Sequence, residues 1–475
     1  MRGDYPICHP LGPGQRANGG YAEAVRFSGR VLLAIVSAAL TAAAPAAAAD
    51  WLPHPADATW TYQWTDSVYN TTPTTEKVTV TNNTGAMFTL GWTTVDQGNS
   101  ADAPTSVGDV VFQETGRGLV NTDWQSNQPP SSFPVLCATI TQCGNSLAST
   151  YYNVIWGARA PTLVEPLLKG TSWSSTGGFQ NDVTSQSTYM GTEQITVPAF
   201  PMPVVAAKVQ TQVTQAGALG DPYGSGVRTV WWVYGVGPVK VEFQHEGGNA
   251  PLTSSVLQST NQTPLPPPPD ANYFPLKQGA KFTYRWTNTK HLAKPSVTTF
   301  VVDQVSNGSA RMSVKNVSGP IKLAGAYGFT LRTDGLSNLW SATQSATKLK
   351  FPALGPTSAP VDQRRHFITP FDLMIYGFNP ILPAYGTPAT TWSAVVPSRD
   401  YSIFGVTGTS TVIGTQKVTV PAGTFNALVV RSTLAQAGFT YGSGTRTSWF
   451  APNKGLVKLV FRHADGSTST VELLH

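Results

Sequence analysis

Charge is scarce in this 475-residue chain. Lys and Arg supply 31 residues and Asp and Glu 25, together 12%, about half the usual share of a soluble domain. That composition excludes a highly charged disordered chain and a coiled coil. Long apolar runs are also missing. After residue 50 no stretch approaches the ~20 apolar residues that a membrane-spanning helix needs. Only three cysteines occur, and Cys137 and Cys143 have no neighbouring histidine, so a four-ligand zinc site is not expected. The formal net charge of +6 is scattered without a basic run, which gives no footprint for nucleic acid. Catalytic signatures are absent as well: there is no Gly-x-Ser-x-Gly, no His-Glu-x-x-His and no phosphate loop.

Glycine, proline and tryptophan are plentiful instead, at 44, 37 and 13 residues. Near the start, Arg26 and Arg30 precede an apolar run from Val31 to Leu40 and a small-residue stretch ending at Ala49. A basic flank, a short apolar core and small residues form a secretory signal peptide, here residues 1–49 with an extended n-region. A secreted or envelope location follows, with no transmembrane segment after cleavage. Cys8 is then lost, and Cys137 and Cys143 remain as a pair expected to form a disulfide.

The chain repeats itself. Ala58-Thr59-Trp60-Thr61-Tyr62-Gln63-Trp64-Thr65 returns as Ala280-Lys281-Phe282-Thr283-Tyr284-Arg285-Trp286-Thr287. Tyr223-Gly224-Ser225-Gly226-Val227-Arg228 returns as Tyr441-Gly442-Ser443-Gly444-Thr445-Arg446, followed by Phe243-Gln244-His245 against Phe461-Arg462-His463. Collinear repeats of domain size predict two tandem domains, residues 51–260 and 271–475. Residues 261–270 between them are proline-rich and predict an extended, semi-rigid spacer.

Within each copy the apolar residues alternate. Trp60, Tyr62 and Trp64 share one phase, as do Phe282, Tyr284 and Trp286. A period of two, punctuated by Gly, Pro and Asp-Gly turns, predicts half-buried strands. The fold class is therefore all-β: two homologous antiparallel curled sheets, half-barrel or barrel-like, in tandem. Helical turns are expected only as short pieces, in residues 158–168 and 370–383.

Comparing the copies picks out the polar residues present in both. Arg228 pairs with Arg446, Lys240 with Lys458 and His245 with His463. No equally secure acidic pair exists, which lowers the expectation of acid–base hydrolysis. The two arginines lie beside aromatic residues, where a guanidinium can engage a ligand or set sheet register; the register role is preferred. Trp64, Trp286, Trp231 and Trp449 pose the same choice between ligand contact and core.

Thr419-Val420-Pro421-Ala422-Gly423-Thr424-Phe425-Asn426-Ala427, then Trp449-Phe450-Ala451-Pro452 and Gly455-Leu456-Val457-Lys458, resembles a pattern in uncharacterised exported bacterial proteins and lipoproteins. Phe274-Pro275-Leu276 with Gly279 fits the opening of that pattern, and the first copy follows it more loosely. The resemblance implies a β-rich envelope protein and carries no catalytic residues. The functional expectation is a secreted, non-catalytic protein. Its sheets would hold an apolar, lipid-like small molecule in their concavity, or else bind wall glycan or protein at the cell surface. Arg228, Arg446, Trp64, Trp286, Trp231 and Trp449 are the binding candidates, and no metal or other cofactor is expected.

Overall fold

A computed structural model describes residues 51–96, 107–127, 149–157, 161–177, 183–216, 223–247, 249–306, 308–345, 369–385, 388–394 and 406–475. The signal segment and the Cys137–Cys143 pair lie outside the described residues. What is described is nearly all strand.

The first sheet has twelve antiparallel strands. They are β1 (Thr59–Asp66), β2 (Asn70–Asn83), β3 (Met87–Asp96), β4 (Val107–Thr115), β5 (Gly118–Asn127) and β6 (Leu163–Val164). After these come β7 (Ser172–Gly177), β8 (Val183–Ile195), β9 (Val204–Gln215), β10 (Gly226–Val233), β11 (Gly237–His245) and β12 (Leu252–Thr260). The second sheet comprises β13 (Lys281–Asn288), β14 (Leu292–Ser306), β15 (Ser309–Ser318), β16 (Leu323–Arg332), β17 (Gly335–Ser345) and β18 (Leu382–Pro383). It continues through β19 (Thr391–Ser393), β20 (Val406–Val420), β21 (Gly423–Gln436), β22 (Gly444–Ala451), β23 (Gly455–His463) and β24 (Thr468–Leu473).

Both sheets have one plan. The order in the first is β6-β5-β4-β3-β2-β1-β12-β11-β10-β9-β8-β7, and the second repeats it twelve strands later. First and last strands pair at the centre, while the consecutive strands β6 and β7 stand at opposite edges. Right-handed strand twist accumulated over so many strands curls a sheet on itself. Alternation then decides the faces: Trp60, Tyr62 and Trp64 point into the concavity and are at most 1% exposed, while Thr61, Gln63 and Thr65 point outward.

Each concavity is filled by a six-residue helix. Helix α1 (Thr150–Ile155) and helix α2 (Pro370–Ile375) are buried on every side. Helix α2 begins where the sequence predicts a helical turn; α1 lies just upstream of the expected 158–168 segment. Phe371 of α2 stacks on Phe300 with ring centres 3.9 Å apart and meets Tyr284 edge-on at 5.8 Å. In α1, Tyr151 meets Tyr62 and Phe112 edge-on at 6.0 and 6.3 Å. Aromatic pairs of this kind add to the large area that their burial removes from water.

The proline-rich segment is strapped to the first sheet rather than spanning open solvent. Asn261 Nδ2 donates to the Asp57 carbonyl at 2.7 Å, and the Leu265 amide to the Tyr234 carbonyl at 2.8 Å. The Lys169 amide closes the strap on the Asp270 carbonyl, also at 2.8 Å.

Candidate functional site

Of the residues singled out in both copies, the two arginines converge on the internal helices. Strand β10 carries Arg228 inward, directly opposite Thr211 on β9 and Phe243 on β11. Its Nη1 donates to the Asn153 carbonyl at 2.9 Å and to the Trp156 carbonyl, the open C-terminal end of α1. Arg446 on β22 repeats the contact, donating from Nη1 to Leu373 O at 2.6 Å and Tyr376 O at 2.8 Å. The last carbonyls of a helix lack partners within it, and a cation there also complements the helix dipole. Both guanidiniums are at most 3% exposed. Burial lowers the Arg228 pKa to about 9 and that of Arg446 to about 10. They serve as helix caps.

The N-terminal ends are solved differently in the two sheets. In the first, Glu76 reaches inward from β2. Its carboxylate accepts the Thr150 amide at 2.8 Å and the Ser149 hydroxyl at 3.3 Å. Glu76 is fully buried, and burial pushes its carboxyl up to about 8 against the pull of those hydrogen bonds. In the second sheet the first helical residue is Pro370, which has no amide hydrogen to offer. The strand residue facing Tyr284, as Glu76 faces Tyr62, is there Thr298. The negative end comes from within the helix instead. Thr369 Oγ1 accepts the Asp372 amide at 3.0 Å, and Tyr327 donates to an Asp372 carboxylate oxygen at 2.9 Å. A carboxyl group thus stands at each helix N-terminus and a guanidinium at each C-terminus.

The paired histidines anchor a neighbouring turn. His245 Nδ1 bonds the Tyr223 carbonyl and Nε2 the Thr253 hydroxyl, at 2.5 and 2.8 Å; His463 does the same with Tyr441 and Ser469, at 2.5 and 2.9 Å. Burial holds both imidazoles near pKa 4, so they are neutral at neutral pH. Each turn ends at a glycine, Gly226 or Gly444, with φ of 143° and 136°. A Cβ there would run into the carbonyl of Gln244 or Arg462. The Gly-Ser-Gly sequence is accordingly a close-packed turn into a strand.

The tryptophans separate into two environments. Trp64 and Trp286 are core residues, 1% and 0% exposed. Trp231 lies on the outer face of the first sheet, with the ammonium groups of Lys240 and Lys208 over its ring at 4.7 and 5.3 Å. Its indole N–H donates to Glu193. Trp449 is half-buried on the matching outer position, opposite Lys458. The structure therefore brings Arg228 and Trp64, or Arg446 and Trp286, into one interior, whereas Trp231, buried at 5% exposure, and half-buried Trp449 point from the opposite face of their strands.

One cavity among the described residues holds about 60 Å³ and another about 10 Å³. The first is bordered by Trp51, Leu52, Glu114 and Glu165 of the first half and Thr333 of the second. Ligand pockets usually measure ~300 Å³ or more. Among the described residues no three His, Cys, Asp or Glu side chains gather as metal ligands.

The sequence matches no protein-family model and no curated protein. Solved structures do resemble it. One is a protein classed as exported, with a YmcC-like fold, from Bacteroides fragilis, at 12% identity and a TM-score of 0.24, spanning 45% of this chain and 99% of its own. A protein classed as a lipoprotein from Parabacteroides distasonis gives 13% identity and a TM-score of 0.23 over the same shares. The hypothetical lipoprotein YmcC of Escherichia coli gives 12% and 0.21, spanning 44% of this chain and 85% of its own.

Two of the site groups carry little signal in the sequence. Glu76 falls in the inward phase with Thr74 and Val78, so a lone acid in a buried register was its only mark. The Asp372 carboxylate is announced by Thr369 three residues earlier, the spacing of a helix-capping pair.

Proposed function

We propose that this protein is an exported, non-catalytic recognition module of the cell envelope that engages wall glycan with the outer faces of its curled sheets. The observation that carries this reading is the filled interior. Each concave face is taken up by aromatic side chains and a helix capped at both ends, whereas a carrier would need that volume for its cargo. The shared polar residues support the reading, since one guanidinium nitrogen of Arg228 and of Arg446 and both ring nitrogens of His245 and His463 are bonded within the fold. Low charge and the signal segment fit an envelope location.

The test is co-sedimentation of the full mature chain with purified cell wall. The reading expects retention that salt alone does not reverse. A protein that stays in the supernatant, and instead yields a bound lipid on organic extraction, would favour the carrier alternative.

A further inference from the structure

The outer face of the second sheet carries a feature that the first sheet lacks. Arg311 on β15, Gly328 on β16 and Trp340 on β17 form one cross-strand row: Arg311 faces Gly328, and Gly328 faces Trp340. A Cβ built on Gly328 would meet the pyrrole ring of Trp340, with Cε2 at 2.6 Å and Cδ1 at 2.7 Å. Several ring atoms at nearly equal range mean that the indole lies face-down on the glycine. One face is packed on the sheet and the other looks outward. Trp340 is 41% exposed, and its neighbour Leu339 48%. Glycine in a strand often marks such a close approach.

The surroundings are cationic. Asp303 on β14 accepts from Ser313 and faces Arg311 Nη1 at 3.1 Å and Lys315 Nζ at 3.8 Å. Two cations share one carboxylate, leaving a positive excess on β15, the strand beyond Gly328 from Trp340. Arg311 and Lys315 remain half exposed, at 50% and 53%. The corresponding row of the first sheet is Thr89, Val111 and Asp123. There a valine side chain takes the place where an indole would lie, and an acid replaces the ring.

Resting on the proposal that the outer faces do the binding, we propose that the Trp340 face is a platform for an oligosaccharide bearing a carboxylate. An outward indole face packs against the C–H face of a pyranose ring. The guanidinium and ammonium two strands away, within reach of the next sugar of a chain, match a carboxylate, the guanidinium by a two-pronged hydrogen bond. A neutral sugar would use the ring but not the charge; a negatively charged protein would not need the flat exposed ring.

Calorimetric titration of the full mature chain tests this with two probes, a peptidoglycan-derived muramyl tetrasaccharide and the neutral chitotetraose. The muramyl sugar should bind at least tenfold more tightly. Trp340→Ala and Gly328→Val should each weaken it tenfold or more, Arg311→Ala should abolish the preference over chitotetraose, and Trp340→Phe should retain most of the affinity. Circular dichroism confirms that each variant is folded. Unchanged affinity in Trp340→Ala, or equal affinity for both sugars, overturns the platform. Wall retention without tetrasaccharide binding overturns the platform but leaves the outer-face reading standing; loss of wall retention removes the reading beneath it.

Discussion

The Glu76 carboxylate accepts the Thr150 amide hydrogen at 2.8 Å, and in the second sheet neither half of that contact exists, because Pro370 replaces the amide and Thr298 the acid. The two changes belong together. A buried carboxylate without a donor is costly, and a buried amide without an acceptor nearly as much. Each copy keeps one complete solution and avoids the mixed ones.

Glu76 makes the first sheet sensitive to alkali. Its folded pKa of about 8 lies above the ordinary 4.5, so folding favours the protonated form. The stability is present in full below about pH 4.5 and is lost as pH rises through about 8, by on the order of 3–5 kcal/mol. His245 and His463 act in the opposite sense. Their folded pKa near 4 is depressed, and their contribution is lost as pH falls from about 6.5 through 4. Thermal unfolding between pH 7 and 9 isolates the acid. Wild type should lose stability across that range and Glu76→Gln should lose much less; parallel curves would show that Glu76 does not titrate there.

Arg446→Met should cost about 2–3 kcal/mol in denaturant unfolding. It strips the donor from two buried carbonyls, Leu373 and Tyr376, and each unsatisfied group costs about 1–3 kcal/mol. Removing the desolvated charge offsets part of that loss. Arg446→Lys should recover only part of it, because one ammonium on a flexible stem does not reproduce the guanidinium's geometry. A stabilised Met variant would mean that the charge, not the cap, dominates.

Much of this architecture was legible. Alternation at Trp60, Tyr62 and Trp64 placed those rings on one buried face, and the repeat at Phe282, Tyr284 and Trp286 foretold a second curled sheet. What the sequence did not reveal depends on contacts across long separations. Arg228 finds its partners about 75 residues away on a short helix, and nothing local distinguishes that use from a ligand contact. Helix α1 itself is too short to show a 3.6-residue period, and its ends are capped from other elements of the fold. Trp340 escaped notice because its exposure follows from Gly328 on the neighbouring strand, a pairing fixed only by register and the bulge at Gly328/Phe329.

The exchange of caps between the sheets can be measured directly. Thr298→Glu alone should destabilise strongly, since Pro370 leaves the new carboxyl without an amide. Pro370→Ala alone should gain little, because the freed amide is buried without an acceptor. Together they should recover about 1–2 kcal/mol beyond additivity in a double-mutant cycle. A coupling energy near zero would show that the two positions do not face each other.

Hydrogen exchange at the internal helices tests most directly whether the interiors are closed. The Asn153 amide bonds the Ser149 carbonyl at 3.2 Å, the Trp156 amide bonds Tyr152 at 3.0 Å, and the Leu373 amide bonds Thr369 at 3.3 Å. A helix capped at both ends inside the sheet should open only with global unfolding, so these amides should exchange as slowly as those of the central strands β1, β12, β13 and β24. Exchange within minutes at Asn153, Trp156 and Leu373, with the strands still protected, would mean that the helices leave the sheets and free their concave faces for a ligand.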